Sequence, residues 1–191
     1  MPYKDKNIRT LEDVCDIRFG YHAIPLSTGA IPYLQIRHFN EDGHLADQPL
    51  ELIDLDEKSK PHLLQEGDVL FVGKGNRLFA WQYDSTMGPL VASSTFFVLR
   101  ADMTKILPSF LTTILNAPAF KAHLQQLGAG TNIFSIRKSE LGAMELPIPS
   151  MDRQEKISTL AKAYQEEIRL AQQVLDQKQL LFKGILTSLL K

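Results

Sequence analysis

Residues 151 to 191 contain no proline and a single glycine, Gly184, and their apolar side chains recur in an unbroken alternation of four and three. The positions are Ile157, Ala161, Tyr164, Ile168, Ala171, Leu175, Lys178, Phe182, Ile185 and Leu189, with Lys178 the one polar member. A mean spacing near 3.5 residues places them in one narrow stripe, the seam of a coiled coil, on a helix that would run roughly 57 Å at about 1.5 Å per residue. A helix folded back on its own domain would be the alternative, but a domain of about 150 residues cannot cover that length. The stripe therefore calls for a partner helix. Lys178 in the seam costs stability and can fix register or orientation. Gln154, Glu155, Lys162, Gln165, Glu166, Arg169, Gln172, Gln173, Asp176 and Gln177 read as a solvated face, while Leu160, Leu170, Val174, Leu181, Leu186 and Leu190 widen the apolar side.

The 150 residues before this helix are long enough for one well-cored domain. Apolar content of 44% and charged content of 23% are ordinary for a soluble protein. The N-terminal MPYKDKNIRT has no apolar h-region and no stretch approaches a membrane-spanning length, so a cytoplasmic protein is expected. One cysteine, Cys15, allows no internal disulfide, suits a reducing compartment, and is expected to be a buried structural thiol. Residues 1–150 hold 14 Lys plus Arg against 17 Asp plus Glu, a net of −3; residues 151–191 hold 7 against 5, a net of +2. Seven acids without an intervening base lie between Glu41 and Glu57, a stretch expected to face away from any nucleic acid.

Thr10 and Asp13 ahead of Val14 and Ile17 form a short capping signal and predict a brief opening helix. IPYLQIRHF at 31–39 alternates as a strand and is followed by a turn at Asp42–Gly43; GDVLFVGKG, LFAWQYD and STFFVLR predict three more strands. PSFLTTILNAPAFKAHLQQLG reads as two helices broken at Pro118. A short strand at 133–135, a brief helix at 138–141 and an extended ELPIP come next, with Ser150 as candidate N-cap of the long helix. The fold class expected is α+β: one mixed domain over 1–150, then a helix over 151–191.

Catalytic and metal-binding chemistry is not indicated. Gly73-Lys74-Gly75 lacks the spacing and the Ser/Thr of a phosphate loop, the five histidines never fall at ligand spacing, and Ser93-Ser94-Thr95 lacks a nucleophile elbow. No cofactor is expected. Polar and basic residues do gather in the glycine-rich loops: Tyr21, His22, Arg37, His38, Lys74, Asn76, Arg77, Thr131, Asn132, Arg137 and Lys138. Loops on a rigid scaffold carry recognition, and these side-chain types suit phosphates and base edges, so they are the candidate DNA-binding set.

The succession LEDVCDIRFGY, IPYLQIRHFNEDGHL, LLQEGDVLFVGKGNRLFAW, SSTFFVLR and GAGTNIFSIRKSELGAMELPIPSMDRQEKI resembles the specificity subunits of type I restriction-modification systems across nearly the whole chain. ELPIPSMDRQEKI carries the most specific part of the likeness: it looks like the boundary where a target-recognition domain passes into a helical spacer. The resemblance implies a non-catalytic subunit that reads double-stranded DNA and directs separate methyltransferase (modification) and restriction subunits to a sequence. Such subunits usually have two recognition domains and two spacer helices that pack antiparallel, so the resemblance makes this chain one half. Its spacer helix would then pair with a second copy, and the homodimer would read an interrupted inverted repeat. The alternative expectation is a non-catalytic oligomerisation or adaptor protein, or an inactive remnant, that has kept the fold.

Overall fold

The computed structural model describes residues 7–75, 77–127 and 135–190. The chain divides into two compact units, Met1–Glu155 and Lys156–Lys191.

The first unit opens with β1 (Ile8–Thr10), the one-turn helix α1 (Leu11–Val14) and β2 (Cys15–Phe19). The predicted helix forms for the predicted reason: the Asp13 carboxylate accepts the Thr10 N–H at 3.0 Å, and the Thr10 side chain first, then this N–H, hold its pKa below the usual carboxylate range. Cys15 is buried, its thiol donates to the Leu11 carbonyl at 3.1 Å, and burial raises its pKa to about 12, a structural thiol rather than a nucleophile.

The central sheet is antiparallel with β2 at one edge, then β8 (Phe96–Ala101), β5 (Val69–Val72) and β6 (Ala80–Gln82). Its register is set by Phe19 opposite Phe97 and Phe97 opposite Phe71. All four β5 residues are buried, which explains why VLFV is continuously apolar rather than alternating. A second sheet places β3 (Ile31–Leu34) between β4 (Glu51–Ile53, antiparallel) and β7 (Val91–Ala92, parallel). Between the two sheets Phe39, Phe79, Phe96 and Trp81 form an edge-to-face and tilted aromatic cluster.

The expected strand over 31–39 is corrected: it stops at Leu34, and Ile36–His38 is a 3-10 turn. The turn wins because His38 Nδ1 accepts the Gln35 N–H at 3.0 Å while Arg77 draws in the carbonyls of Ile36 and Phe39 at 2.9 and 2.8 Å. No ladder partner could compete with a charged donor on those oxygens.

The two predicted helices are α2 (Pro108–Asn116) and α3 (Pro118–Leu127), each starting on a proline whose missing N–H costs nothing there. The Asn116 side-chain amide acts as a strand substitute along β6, donating to the Ala80 carbonyl at 2.7 Å and accepting the Ala80 N–H at 3.0 Å. After α4 (Lys138–Gly142), β9 (Glu145–Pro147) pairs with β1. The expected strand at 133–135 lies mostly outside the described residues.

The last element, α5 (Met151–Leu189), has 39 residues and a length of about 58 Å. Its first turn corrects one expectation. Gln154, placed by pattern on the solvated face, is fully buried: its Oε1 accepts the Leu107 N–H at 2.8 Å, and its Nε2 donates to the carbonyls of Lys105 and Pro149 at 3.0 and 2.9 Å. This amide pins the helix start to two loops and gives a physical role to the Gln of SMDRQEKI.

Candidate nucleic-acid interface

Three strands of the central sheet end or begin at one rim, and hydrogen bonds sew their loops together. The N–H of Gly20, just past β2, donates to the Phe96 carbonyl at 3.0 Å, and Tyr21 N–H donates to Ala92 O at 2.8 Å. Ser93 N–H reaches Leu34 O at 2.8 Å, tying in the end of β3. Past β5, Gly73 N–H donates to Thr95 O at 3.3 Å, while Gly73 O accepts Ile136 N–H at 3.0 Å and Lys74 bridges Ser135. Arg77 completes the rim by holding Ile36, Phe39 and Asn40. Segments 20–22, 35–39, 73–75 with Arg77, 93–95 and 135–137 therefore converge, although up to about 115 residues separate them in sequence.

Glycine is dictated by contact at two of these points. A Cβ on Gly20 would lie 2.1 Å from the Ser93 carbonyl oxygen, and one on Gly73 would lie 2.2 Å from the Phe97 ring. Both are approaches that no side chain permits.

The expected DNA-binding residues sort by what their atoms already do. His22 and Lys74 are exposed, and among the described residues neither side chain makes a hydrogen bond or ion pair. Tyr21 is half-buried: its ring packs on His62 at 5.0 Å and its carbonyl accepts the Tyr33 hydroxyl at 2.7 Å. Arg37 is exposed but bonded to Gln35 Oε1 at 2.7 Å and to Glu51. His38 is 3% exposed, with Nδ1 on Gln35 N–H and Nε2 on Glu51 Oε2 at 2.9 Å, so it shapes the turn and has no free edge for a base. Arg77 is largely committed to backbone carbonyls, with Glu41 3.7 Å away. Arg137 is 84% exposed beside Glu140 at 3.9 Å.

Lys138 lines a cleft of about 910 Å³ with Glu12, Asp16, Arg100, Asp102 and Lys105. The Asp102 carboxyl there is held down to about 2, first by the Thr104 hydroxyl and then by Lys105. Asn76, Thr131 and Asn132 lie outside the described residues. Among the described residues no group of three or more His, Cys, Asp or Glu is placed to hold a metal ion, and no helix is long and apolar enough to cross a membrane.

The acidic stretch from Glu41 to Glu57 does not simply turn away from the candidate set. Glu51 and Glu41 lie against Arg37, His38 and Arg77, and the hydrogen bond from Arg37 keeps the Glu51 carboxyl below its usual range. The pattern also missed the Ser93-Ser94-Thr95 turn, whose hydroxyls of Ser93 and Thr95 meet at 2.7 Å. The available signal was its place between two strands, which puts any such turn at a sheet end.

Burial lowers the His38 pKa, and Glu51 only partly opposes this. A histidine depressed in the folded state contributes stability that is complete above the unfolded pKa, about 6.5, and is lost as pH falls through the folded value. Urea titrations should therefore show stability declining from pH 7.5 to 5.5 as the His38 ring takes up its proton. A flat profile, or an NMR titration of His38 centred above 6.5, would contradict the assigned environment.

On α5, Ile157 and Ala161 are half-buried, and Tyr164, Ile168, Ala171, Leu175, Lys178, Phe182, Ile185 and Leu189 are exposed. Tyr164, Ile168, Leu175 and Phe182 expose 62%, 52%, 48% and 61% of their surface, an apolar stripe that a soluble helix does not ordinarily leave bare.

No curated protein matches the sequence. Among solved structures the chain is similar to the HsdS subunit from Thermoanaerobacter tengcongensis (TM-score 0.61, 16% identity), over 91% of this chain and 40% of that one. A chain from a study of complex assembly and conformational transition of the type I R-M system gives TM-score 0.61 and 18% identity over 91% of this chain and 42% of that one. The S subunit of a type I restriction-modification system from M. genitalium gives 0.60 and 15% over 88% and 42%. At these identities the likeness is one of fold, and this chain spans about two-fifths of each relative's length. Residues 3–177 match the family described as type I restriction modification DNA specificity domain. That match covers the mixed domain, its rim of loops and most of the long helix, and the chain belongs to this family.

Proposed function

We propose that this chain is a half-length specificity subunit that reads double-stranded DNA with the rim at the end of the central sheet and pairs with a second copy through α5. The observation that carries this is the convergence of five loop segments on one rim, where exposed Lys74, His22 and Arg137 stand on a backbone locked by Gly20 and Gly73. A frame of that kind can present phosphate- and base-directed side chains at fixed spacing. The homodimer reads an inverted repeat interrupted by uncontacted bases. It works in the cytoplasm, has no active site of its own, and directs a methyltransferase subunit and a restriction subunit supplied separately.

An adaptor function without DNA has one observation in its favour. Residues 1–150 carry a net charge of −3, and Arg37 and Arg77 are neutralised by Glu51 and Glu41. Weak net charge is nevertheless compatible with base readout, where a good bidentate pair supplies about 1–3 kcal/mol of discrimination without a large field.

Two single substitutions test the assignment. Lys74→Ala keeps the backbone bridge, so it should leave thermal stability unchanged while weakening DNA binding about tenfold and lowering the salt slope of the dimer by about two. Arg77→Ala removes a charged donor from three carbonyls and should cost about 2 kcal/mol of stability. Unaltered DNA affinity in Lys74→Ala would remove Lys74 from the interface.

A further inference from the structure

We infer that the antiparallel pair of α5 helices which the resemblance implies takes a single register, centred on Gln173, and that Lys178 of each copy selects this register by meeting Glu167 of the other. This rests on the proposed homodimer and goes beyond it, from the existence of a pair to its register and the residues that set it.

The seam arithmetic leaves little choice. When the two-fold axis passes at the level of Gln173, Ile157 faces Leu189 of the second copy, Ala161 faces Ile185, Tyr164 faces Phe182, Ile168 faces Lys178 and Ala171 faces Leu175. Every seam position then has a partner. A slip of one heptad either way carries two seam residues of each helix past the end of the stripe, leaving bare the apolar surface whose burial drives pairing.

The polar positions agree. A parallel, in-register pair would stack Lys178 on Lys178 in the seam, a like-charge contact in the least hydrated part of the interface. In the antiparallel pair Lys178 instead lies across from Ile168. In heptad terms Lys178 is at d and Glu167 at g, and an antiparallel pair brings these positions to the same side of the interface. Here they fall within about 1.5 Å of the same axial level. Within its own helix Glu166 is spent on Arg169 at 2.6 Å, whereas among the described residues neither Glu167 nor Lys178 makes an ion pair. The charge left free beside the seam is thus the one that the buried lysine needs.

The flanks follow the same symmetry. Antiparallel helices bring g against g and e against e: Val174 comes opposite itself at the axis, Gln172 opposite itself and Gln165 opposite Gln179.

The test is cysteine cross-linking of the full chain, with the wild type, whose only cysteine is buried, as control. Val174→Cys should give a covalent dimer on mild oxidation, while Leu181→Cys and Leu160→Cys should not. Lys178→Glu and Glu167→Lys should each weaken the dimer about tenfold or more, and the double exchange should return affinity to within about threefold of the wild type. A dimer by light scattering in which Val174→Cys fails to link, or Leu181→Cys links to itself, would overturn the register while leaving the homodimer standing. A wild-type chain that stays monomeric at micromolar concentration would overturn both.

Discussion

Replacing both Ile168 and Leu175 by aspartate is expected to turn the dimer into a monomer without unfolding either unit. In the isolated chain these side chains expose 52% and 48% of their surface, so a carboxylate there meets water and costs the fold little. In the paired state the two aspartates at 175 face Ala171 of the other copy and must each be desolvated beside apolar neighbours at several kcal/mol, while the two at 168 face Lys178 and compete with Glu167 for it. Dissociation should weaken affinity by at least about 10³-fold, read by light scattering across a dilution series, with the thermal transition of the mixed domain unmoved. An unchanged dimer would mean that the stripe is not the contact.

The second large effect is expected in the core of the mixed domain. Asp68 is 1% exposed, and its carboxylate accepts from Arg100 Nε and Nη2, both at 2.8 Å, and from the Gln65 N–H at 2.8 Å. Arg100→Ala leaves that charge buried with a single backbone donor, a loss of about 3 kcal/mol, the low end for a buried pair because Arg100 itself is 28% exposed. For a chain of this size the melting temperature should fall by roughly 6–12 °C. Arg100→Ala combined with Asp68→Asn should cost less than the two single changes added together, since the neutral amide removes the stranded charge. A loss below about 1 kcal/mol for Arg100→Ala would show that water replaces the guanidinium.

Arg37 and Arg77, two of the three arginines predicted for the interface, behave differently from this one, and the comparison explains what could be read from sequence. Arg37, Arg77 and Lys74 are alike as letters in glycine-rich loops. Lys74 is exposed, whereas Arg77 is folded onto carbonyls of residues 36 to 40, a contact across about 40 positions that no local pattern records. His38 falls within the alternating run 31–39 for the same reason, and the 3-10 turn that buries it depends on Arg77 and Glu51. By contrast, the α5 stripe, the α2–α3 break at Pro118 and the Thr10–Asp13 cap are set by spacing or by neighbours a few residues apart, and they were legible. Gln154 shows the limit within a legible element. Periodicity assigned its face correctly for a free helix, but the loops at 105–107 and 149 claim its amide.

The rim itself could not be assembled from sequence, because its five segments meet only through sheet order. Once the order β2-β8-β5-β6 is known, the ends of β2 and β5 and the start of β8 must share one edge. The glycines at 20 and 73 were visible as turn signals, but the carbonyl and ring that forbid any other residue there were not.

The measurement that bears most directly on the proposed function is selection of bound duplexes from a randomised library by the full chain, together with the methyltransferase subunit encoded nearby. The account predicts enrichment of one inverted repeat with a fixed central gap of unspecified bases, lost when Ile168 and Leu175 are replaced by aspartate. Enrichment of no sequence, or of a single unrepeated site that survives those substitutions, would contradict it.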